Sequence, residues 1–307
     1  MTTVVSLGLI ALGMAWLSPV QAASPTNHAA AKQLIQRSIG VHAGGQAFNA
    51  KVRQRVWVGG REVVGVGSYE QAGQHSGRFN LQVTMHDGDG KHSLQQISDG
   101  RLMWTRQQIG DQVSLRRIDV GRLDQWIKPG TRDSNLTLPP SSLIGAWTEL
   151  MHSLTQDYRL ALAPGSIEQS DGRKRRVWIV QGVLSDQARS QILKEIGQSA
   201  LPELLPTRAV LAIARDNDPE TNFGSGLMLR LEFRAEPVAD AEGNVGEWGP
   251  LISLIEMHSP RPIMAPPIGR FRFENQDADV HFVNETDRYL DQFDIQLSHR
   301  ETRVLRR

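Results

Sequence analysis

The sequence predicts an α+β protein dominated by antiparallel β-strands, with helices covering one face of the sheet. Short extended runs follow one another closely from residue 63 to 119, separated by turn signals such as Asp99-Gly100. In residues 79–85 apolar side chains alternate with polar ones, which is typical of a strand with one buried face. Strands come in consecutive groups with helical segments between or beside them, which argues against alternating βαβ units.

Composition and charge exclude several classes of protein. The chain has 307 residues, of which 39% are hydrophobic and 22% charged, as in an ordinary globular protein. With 34 Lys and Arg against 33 Asp and Glu, the net charge is +1, so no bulk field attracts nucleic acid and we expect no such partner. Because the chain contains 0 Cys, disulfides, thiolate metal sites and thiol catalysis are all excluded.

The N-terminal residues 1–22 are predicted to be a signal peptide. An uncharged apolar run at residues 4–17 precedes the small residues Ala22 and Ala23, although Lys and Arg are missing from the first positions. The alternative is a single membrane anchor, but the run is shorter than the ~20 residues that a spanning helix needs. We therefore expect export to the periplasm or another extracytoplasmic space, no transmembrane segment in the mature chain, and a single domain over residues 23–307.

The first half of the mature chain is predicted to begin with a helix over residues 29–39, followed by a strand over 51–58. Further strands are expected at 63–69, 79–85, 93–98, 102–107 and 113–119. Gly65-Val66-Gly67 lies inside one of them and indicates a bulge or a close-packing site. Two helices then follow, one over 119–127 and one from Ser141 or Ser142 to 154, because their apolar residues keep helical spacing.

The second half is predicted to return to strands. They are expected at residues 158–162, 175–183, 208–216, 227–233, 251–258 and 270–274, with a helix over 186–197. Residues 236–249 are rich in Gly and acidic residues and should form a long exposed hairpin connection. A helix over 284–297 should close the ordered chain before a basic C-terminal tail that carries Arg300, Arg303, Arg306 and Arg307.

Four short stretches carry a resemblance to a known family. They are Gly67-Ser68-Tyr69 with Arg78-Phe79, the hairpin string at residues 97–104, and Phe271-Arg272-Phe273. In this order they resemble the LolA/LolB-like superfamily of periplasmic lipoprotein carriers. The resemblance implies a half-open β-barrel whose concave face is covered by a helical lid and encloses an apolar cavity for acyl chains.

The resemblance carries over no individual ligand contact, so the cavity candidates come from the predicted lid and sheet of this chain. The lid would consist of the helices over 119–127 and 142–154, packed against the apolar face of the sheet. The ligand-binding candidates are the apolar side chains on these two layers: Phe79, Leu81, Val83, Met85, Trp104, Trp126 and Trp147. The sequence contains 7 Trp, and for any single one ordinary core packing is the alternative to a ligand role.

Motifs for catalysis and metal binding are missing from the sequence. There is no Gly-x-Ser-x-Gly elbow, no phosphate loop and no metal-ligand spacing among the 9 His, so we expect neither an enzyme nor a cofactor. Residues 87–90, Asp-Gly-Asp-Gly, lack the later ligands of a calcium loop and indicate a hairpin turn. The basic run at residues 173–176 suits either an anionic headgroup or, as the alternative, a solvated turn.

Two functions remain open at this point. The first is an exported, non-catalytic binding protein that shelters an acyl chain or a lipoprotein in its cavity. The second is an envelope sensor or scaffold that uses the same fold to bind another envelope protein, with residues 236–249 and the basic tail as contact surfaces.

Overall fold

The computed structural model describes residues 25–297 except 59, 89, 127–137, 170–171, 238–245, 247, 278, 294 and 296. The predicted signal peptide, the basic tail and most of the 236–249 connection lie outside the described residues. Among the residues described, no helix combines the length and the apolar character that crossing a membrane would require.

The described chain contains five α-helices and twelve strands. In chain order they are α1 Pro25–Gly44, β1 Phe48–Val58, β2 Arg61–Gln71, β3 Arg78–His86, β4 Lys91–Asp99, β5 Leu102–Ile109, β6 Gln112–Asp119, α2 Val120–Trp126, α3 Ala146–Asp157, β7 Tyr158–Glu168, β8 Lys174–Leu184, α4 Asp186–Ile196, β9 Arg208–Ala214, β10 Met228–Arg234, β11 Leu251–Pro262, β12 Phe282–Asn284 and α5 Thr286–Gln292. Two 3-10 turns lie at Pro140–Ser142 and Ile268–Phe271.

The twelve described strands form one open sheet in the order β12-β6-β5-β4-β3-β2-β1-β11-β10-β9-β8-β7. Strands β1 to β6 make one meander and β7 to β11 a second, and the pairing of β1 with β11 joins them. All pairings are antiparallel except the short one between β12 and β6. The predicted class, a mainly antiparallel sheet covered by helices, is therefore confirmed, and the sheet does not close.

Four predicted elements differ from the structure, the first of them being the opening helix, which spans Pro25–Gly44 and not 29–39. The strand expected over residues 270–274 is wrong, because Pro267 leads into a 3-10 turn and the next residues cross the sheet without pairing. The last helix starts at Thr286, and the residues just before it form β12. The second lid helix starts at Ala146 and not at Ser141 or Ser142. The prolines there support only a 3-10 turn at 140–142, and Gly145 has a φ of 86°, which a helix cannot accommodate.

One face of the sheet carries the main core. On β3 the alternation predicted from sequence is confirmed, with Phe79, Leu81 and Val83 only 7%, 4% and 4% exposed. They share an apolar cluster with buried residues of α1, α2 and α3, so the helices cover this face. The face under the helices is called the concave face below, and the other the convex face.

Glycines in β2 permit close packing on the concave face. A Cβ at Gly67 would lie 1.8 Å from the carbonyl oxygen of Gln82, and one at Gly65 would lie 2.6 Å from Met85 Cγ. The pairing of β2 with β1 and β3 shows no shift at these positions, so they form a close-packing site and not a bulge.

The edge strand β7 is protected by the start of α1. The backbone N–H of Leu160 donates to His28 Nδ1 at 3.0 Å, and that of Leu162 donates to Asn27 Oδ1 at 2.8 Å. Further along the same edge, Pro164 has no N–H to offer. These features leave little of the edge free for pairing with another strand.

Burial of His42 should make the protein less stable in acid. His42 is 0% exposed, its Nε2 accepts from the Met228 N–H at 3.0 Å, and burial lowers its pKa to about 3. At a pH between the ordinary pKa of histidine and this value, His42 binds a proton in the unfolded chain but not in the folded protein. The stability that neutral His42 gives the folded protein is therefore fully present above about pH 6.5 and declines as pH falls. We expect this decline to lower the free energy of unfolding by about 2–3 kcal/mol between pH 7 and 4.5.

Urea unfolding across this pH range measures the effect. The His42→Gln variant, whose amide oxygen can still accept from Met228, should show a shallower decline than the wild type. If the free energy of unfolding fell equally with pH in both proteins, His42 would not be the cause of the acid sensitivity.

Candidate functional site

A cavity of about 760 Å³ lies on the concave face of β1 to β6. Its floor consists of side chains from neighbouring strands and its far wall comes from α3 and α5. The floor is formed by Gln54, Val56, Val63, Val83, Met85, Leu94, Gln96, Met103, Thr105, Gln107 and Ile118, and the wall includes Glu149, Arg288 and Tyr289.

Strand register explains why these residues meet. Val83 on β3 lies opposite Leu94 on β4, and Leu94 lies opposite Gln107 on β5. Met103 on β5 lies opposite Ile118 on β6. Because paired residues point to the same face and alternate residues share it, the floor is a continuous band across the meander. The rim residue Ile109 is 56% exposed, so the cavity reaches solvent near the β5–β6 turn.

The lid fills one end of the concave face and leaves the other hollow. At the filled end, a Cβ at Gly145 would lie 2.5 Å from both Met103 Sδ and Phe79 Cζ, so the start of α3 touches the sheet directly. The Trp147 ring lies 5.5 Å from the Tyr69 ring, and Trp147 is 2% exposed. Phe79, Leu81 and Trp147 thus belong to the solid core beside the cavity.

The structure divides the seven candidate residues among three places. Val83 and Met85 line the cavity. Phe79, Leu81 and Trp147 are core residues, and Trp126 is partly buried against the same core. Trp104 lies on the convex face, because Met103 and Thr105 on either side of it take the cavity side.

Trp104 on the convex face is covered by a later part of the chain. Its ring stacks on Phe273 at 4.9 Å and meets the edge of Phe282 at 5.2 Å. The sequence offered no means of assigning this side, since residues 102–105 contain bulky or β-branched side chains at every position.

Hydrogen bonds join the lid to the sheet around the cavity. Gln96 Oε1 accepts from the Ala146 N–H at 2.9 Å, which connects β4 to α3. The Tyr289 hydroxyl donates to Glu149 Oε1 at 2.8 Å, and Glu149 Oε2 accepts from the Gly145 N–H at 2.9 Å. Burial, strengthened by the Glu149 carboxylate, raises the pKa of Tyr289 well above its ordinary value, so the hydroxyl remains a donor. These contacts connect α3 and α5 across the far wall.

Two further polar contacts lie at the rim. The Arg116 guanidinium donates to Gln107 Oε1 at 2.9 Å and lies 3.7 Å from Glu285. His92 and Asp87 are 2.7 Å apart, and His92 Nδ1 accepts from the Gly110 N–H at 3.3 Å. Both ring nitrogens of His92 therefore serve to join two hairpin turns, consistent with residues 87–90 acting as a turn.

Several cavity residues were missed at the sequence level. Leu94 lies on a predicted strand, and the register of the predicted hairpin would have placed it opposite the candidate residue Val83. Thr105 pairs with Gln96 and had no such signal, because the faces of its strand could not be assigned from sequence. Glu149 and Tyr289 had no sequence signal, because their contact joins residues 140 apart in the chain. Among the described residues, no cluster of three or more His, Asp or Glu is placed to hold a metal ion.

Together, the fold and the cavity define an antiparallel half-barrel with a helical lid and an apolar concave site. No family model matches the sequence, and no curated protein matches it. Among solved structures, the chain is similar to a LolA superfamily protein from Nitrosomonas europaea, with 12% identity, a TM-score of 0.28, and coverage of 79% of this chain and 97% of that one. This is the superfamily that the sequence motifs resemble.

Two other solved structures are similar to the chain. LprF from Mycobacterium bovis shares 13% identity at a TM-score of 0.33, over 81% of this chain and 99% of that one. MucB, solved in a complex with MucA from Pseudomonas aeruginosa, shares 14% identity at a TM-score of 0.37; the match covers 83% of this chain and 63% of that chain, less than two thirds. At these identities and TM-scores, nothing about ligand or partner follows from the similarities.

Proposed function

We propose that this protein is an exported, non-catalytic binding protein that shelters an acyl chain, free or attached to a lipoprotein, in the concave cavity. The observation that carries the proposal is the cavity itself. Its volume of about 760 Å³ falls within the ~300–1,000 Å³ typical of small-molecule sites. The apolar run and small residues before Ala23 support export, to the periplasm or another extracytoplasmic space.

The shape and the chemistry of the floor favour an elongated apolar ligand. The floor crosses six strands, a distance of roughly 24 Å at ~4.8 Å per strand. Met85 and Met103 contribute flexible, polarizable side chains that adapt to a mobile chain. At about 0.8 kcal/mol per methylene, burial of about fourteen methylenes supplies ~11 kcal/mol, which leaves ~8 kcal/mol, the free energy of micromolar binding, after ordering losses of ~3 kcal/mol.

Two measurements test this function. Organic extracts of the purified protein, examined by mass spectrometry, should contain fatty acid or phospholipid. The delipidated protein should then bind a fluorescent fatty acid saturably, with one site per chain. If the extracts hold no lipid and the delipidated protein takes up no probe, the proposal is wrong.

Removal of the Tyr289 hydroxyl should loosen the far wall of the cavity. In Tyr289→Phe the partly buried Glu149 carboxylate loses a donor, so we expect the free energy of unfolding to fall by about 1–2 kcal/mol. We also expect a bound fatty acid to dissociate several-fold faster, because α5 is held less firmly to α3. Urea unfolding and stopped-flow displacement measure the two effects.

Tyr158→Phe is the matched control. The Tyr158 hydroxyl also donates a partly buried hydrogen bond, to the Pro206 carbonyl at 2.8 Å, but neither residue lines the cavity. This variant should lose similar stability with no change in ligand dissociation. Equal dissociation rates in the Tyr289 and Tyr158 variants would contradict the role of Tyr289 in retaining the ligand.

A further inference from the structure

A second groove, of about 450 Å³, lies on the convex face, on the other side of the sheet from the cavity. Its floor is made by β3, β4 and β5, and its wall by residues 268–277, called the strap below. Asn80 lies opposite Ile97, and Gln95 opposite Arg106, which places these residues on the face opposite Val83 and Leu94. The floors of the groove and of the cavity therefore lie on opposite faces of the sheet, and the two sites share only the edge residues Ser93 and Gln108.

The strap is attached to the sheet at three points. Arg106 binds Asp277 through two parallel hydrogen bonds, from Nε at 2.6 Å and from Nη2 at 3.0 Å. The Phe273 ring stacks on Trp104, and Arg270 Nε lies 3.1 Å from Glu70. A forked Arg–carboxylate pair and a stacked aromatic pair are specific in geometry, so the wall of the groove is already formed without a ligand.

The groove keeps a positive charge after these contacts are made. Its lining includes Lys91, Arg106, Arg270 and Arg272, with Glu274 as the one carboxylate. Asp277 neutralises Arg106 and Glu70 neutralises Arg270. Lys91 and Arg272 form no ion pair with any residue that the structure describes, and both are exposed. They are thus free to meet an anion.

The remaining lining groups suit a ligand that also carries hydroxyl groups. Ser93, Gln95 and Gln276 offer a hydroxyl and two amides. Asn80 Oδ1, which also lines the groove, is buried and makes no hydrogen bond with the residues that the structure describes. Buried acceptors are nearly always satisfied in folded proteins, so a water or a ligand group is expected to donate there.

We propose that the convex groove binds a phosphate ester of a hydroxyl-bearing small molecule. Lys91 and Arg272 contact the phosphate, since a guanidinium and an ammonium are the usual protein partners of phosphate oxygens. A ligand hydroxyl contacts Ser93 or Gln95, which follow Lys91 on the same face of β4. The proposal concerns a different face from the acyl-chain cavity and does not depend on it.

The test is an NMR titration of the full chain with sn-glycerol 3-phosphate at neutral pH. We expect saturable shifts of backbone amides in β4 and the strap, with weaker binding as salt is raised. Lys91→Gln and Arg272→Gln should each weaken binding about twofold to fivefold, the range of exposed ion pairs. Glu274→Gln should strengthen it about twofold by removing a like charge. If these residues only stabilised the fold, removing the cations would not weaken ester binding while removing the Glu274 carboxylate strengthened it.

Controls separate the groove from general charge effects and from the cavity. Lys194→Gln, on α4, removes one positive charge elsewhere and should leave the titration unchanged. Leu94→Trp, on the cavity floor, should leave it unchanged as well, so failure of one proposal is distinguishable from failure of the other. The inference is overturned if no saturable shift occurs in the groove at millimolar ester, or if Lys91→Gln and Arg272→Gln bind like the wild type.

A second arm identifies the source of the phosphate. Vesicles of phosphatidylcholine with phosphatidylglycerol present the same ester as a lipid headgroup, and we expect the protein not to sediment with them. If it sediments, binds no soluble ester, and loses vesicle binding in both cation variants, the phosphate chemistry holds and its source is a lipid headgroup. If Lys91→Gln and Arg272→Gln sediment with the vesicles as the wild type does, the groove is not the phosphate-binding site.

Discussion

Leu94→Trp is expected to weaken binding of a fluorescent fatty acid at least tenfold while the protein still folds. Leu94 is half-buried in the middle of β4, between Val83 and Gln107 on the cavity floor. The larger indole would occupy space that the ligand needs. A tenfold loss corresponds to about 1.4 kcal/mol, less than the burial of two methylenes at ~0.8 kcal/mol each. Fluorescence titration of the delipidated variant measures it.

Val66→Trp is the matched control for this substitution. Val66 lies on β2 between the two close-packed glycines, points to the convex face and is 64% exposed. The same indole added there should leave fatty-acid affinity unchanged. If Leu94→Trp bound the probe as tightly as the wild type, with an unchanged circular dichroism spectrum, the cavity would not be the binding site.

Trp147→Ala is expected to lower the free energy of unfolding by about 3–5 kcal/mol, the usual loss for a fully buried Trp. Trp147 is 2% exposed on α3, and its ring packs on Tyr69 in the solid part of the core. Its removal would leave a void between the lid and the sheet. Urea unfolding of the delipidated protein measures the loss.

Trp126→Ala provides the comparison. Trp126 ends α2 and is only partly buried against the same core, so its removal should lower the free energy of unfolding by a smaller amount, about 1–2 kcal/mol. If Trp147→Ala instead kept its stability and lost fatty-acid affinity, Trp147 would be a ligand contact and its assignment to the core would be wrong.

Local patterns were enough to predict most of the elements. The alternation over residues 79–85 and the Asp-Gly turn at 99–100 depend on neighbours in the chain, so the strands of the first meander could be located from sequence. The helix expected over 119–127 was likewise predictable from its spacing, and the structure describes it as far as Trp126. Where a proline or a glycine changed the local conformation, as at Gly145 and Pro267, the predicted boundaries were wrong.

The candidate site was only partly predictable. Val83 and Met85 were assigned to the cavity because β3 alternates cleanly between apolar and polar side chains. Trp104 belongs to a strand that is covered on both faces, by the lid on one and by Phe273 on the other, so alternation could not tell which face lined the cavity.

By itself, the sequence determined a β-rich chain with one apolar face, and helices with which to cover that face. The tertiary structure alone decided that β1 pairs with β11, that β12 joins β6 in parallel, and that the lid stops short of Leu94 and leaves a cavity there. The physical reason is that strand order and lid position depend on contacts between residues far apart in the chain. A local pattern of apolar residues is the same whether the space in front of it is filled or hollow.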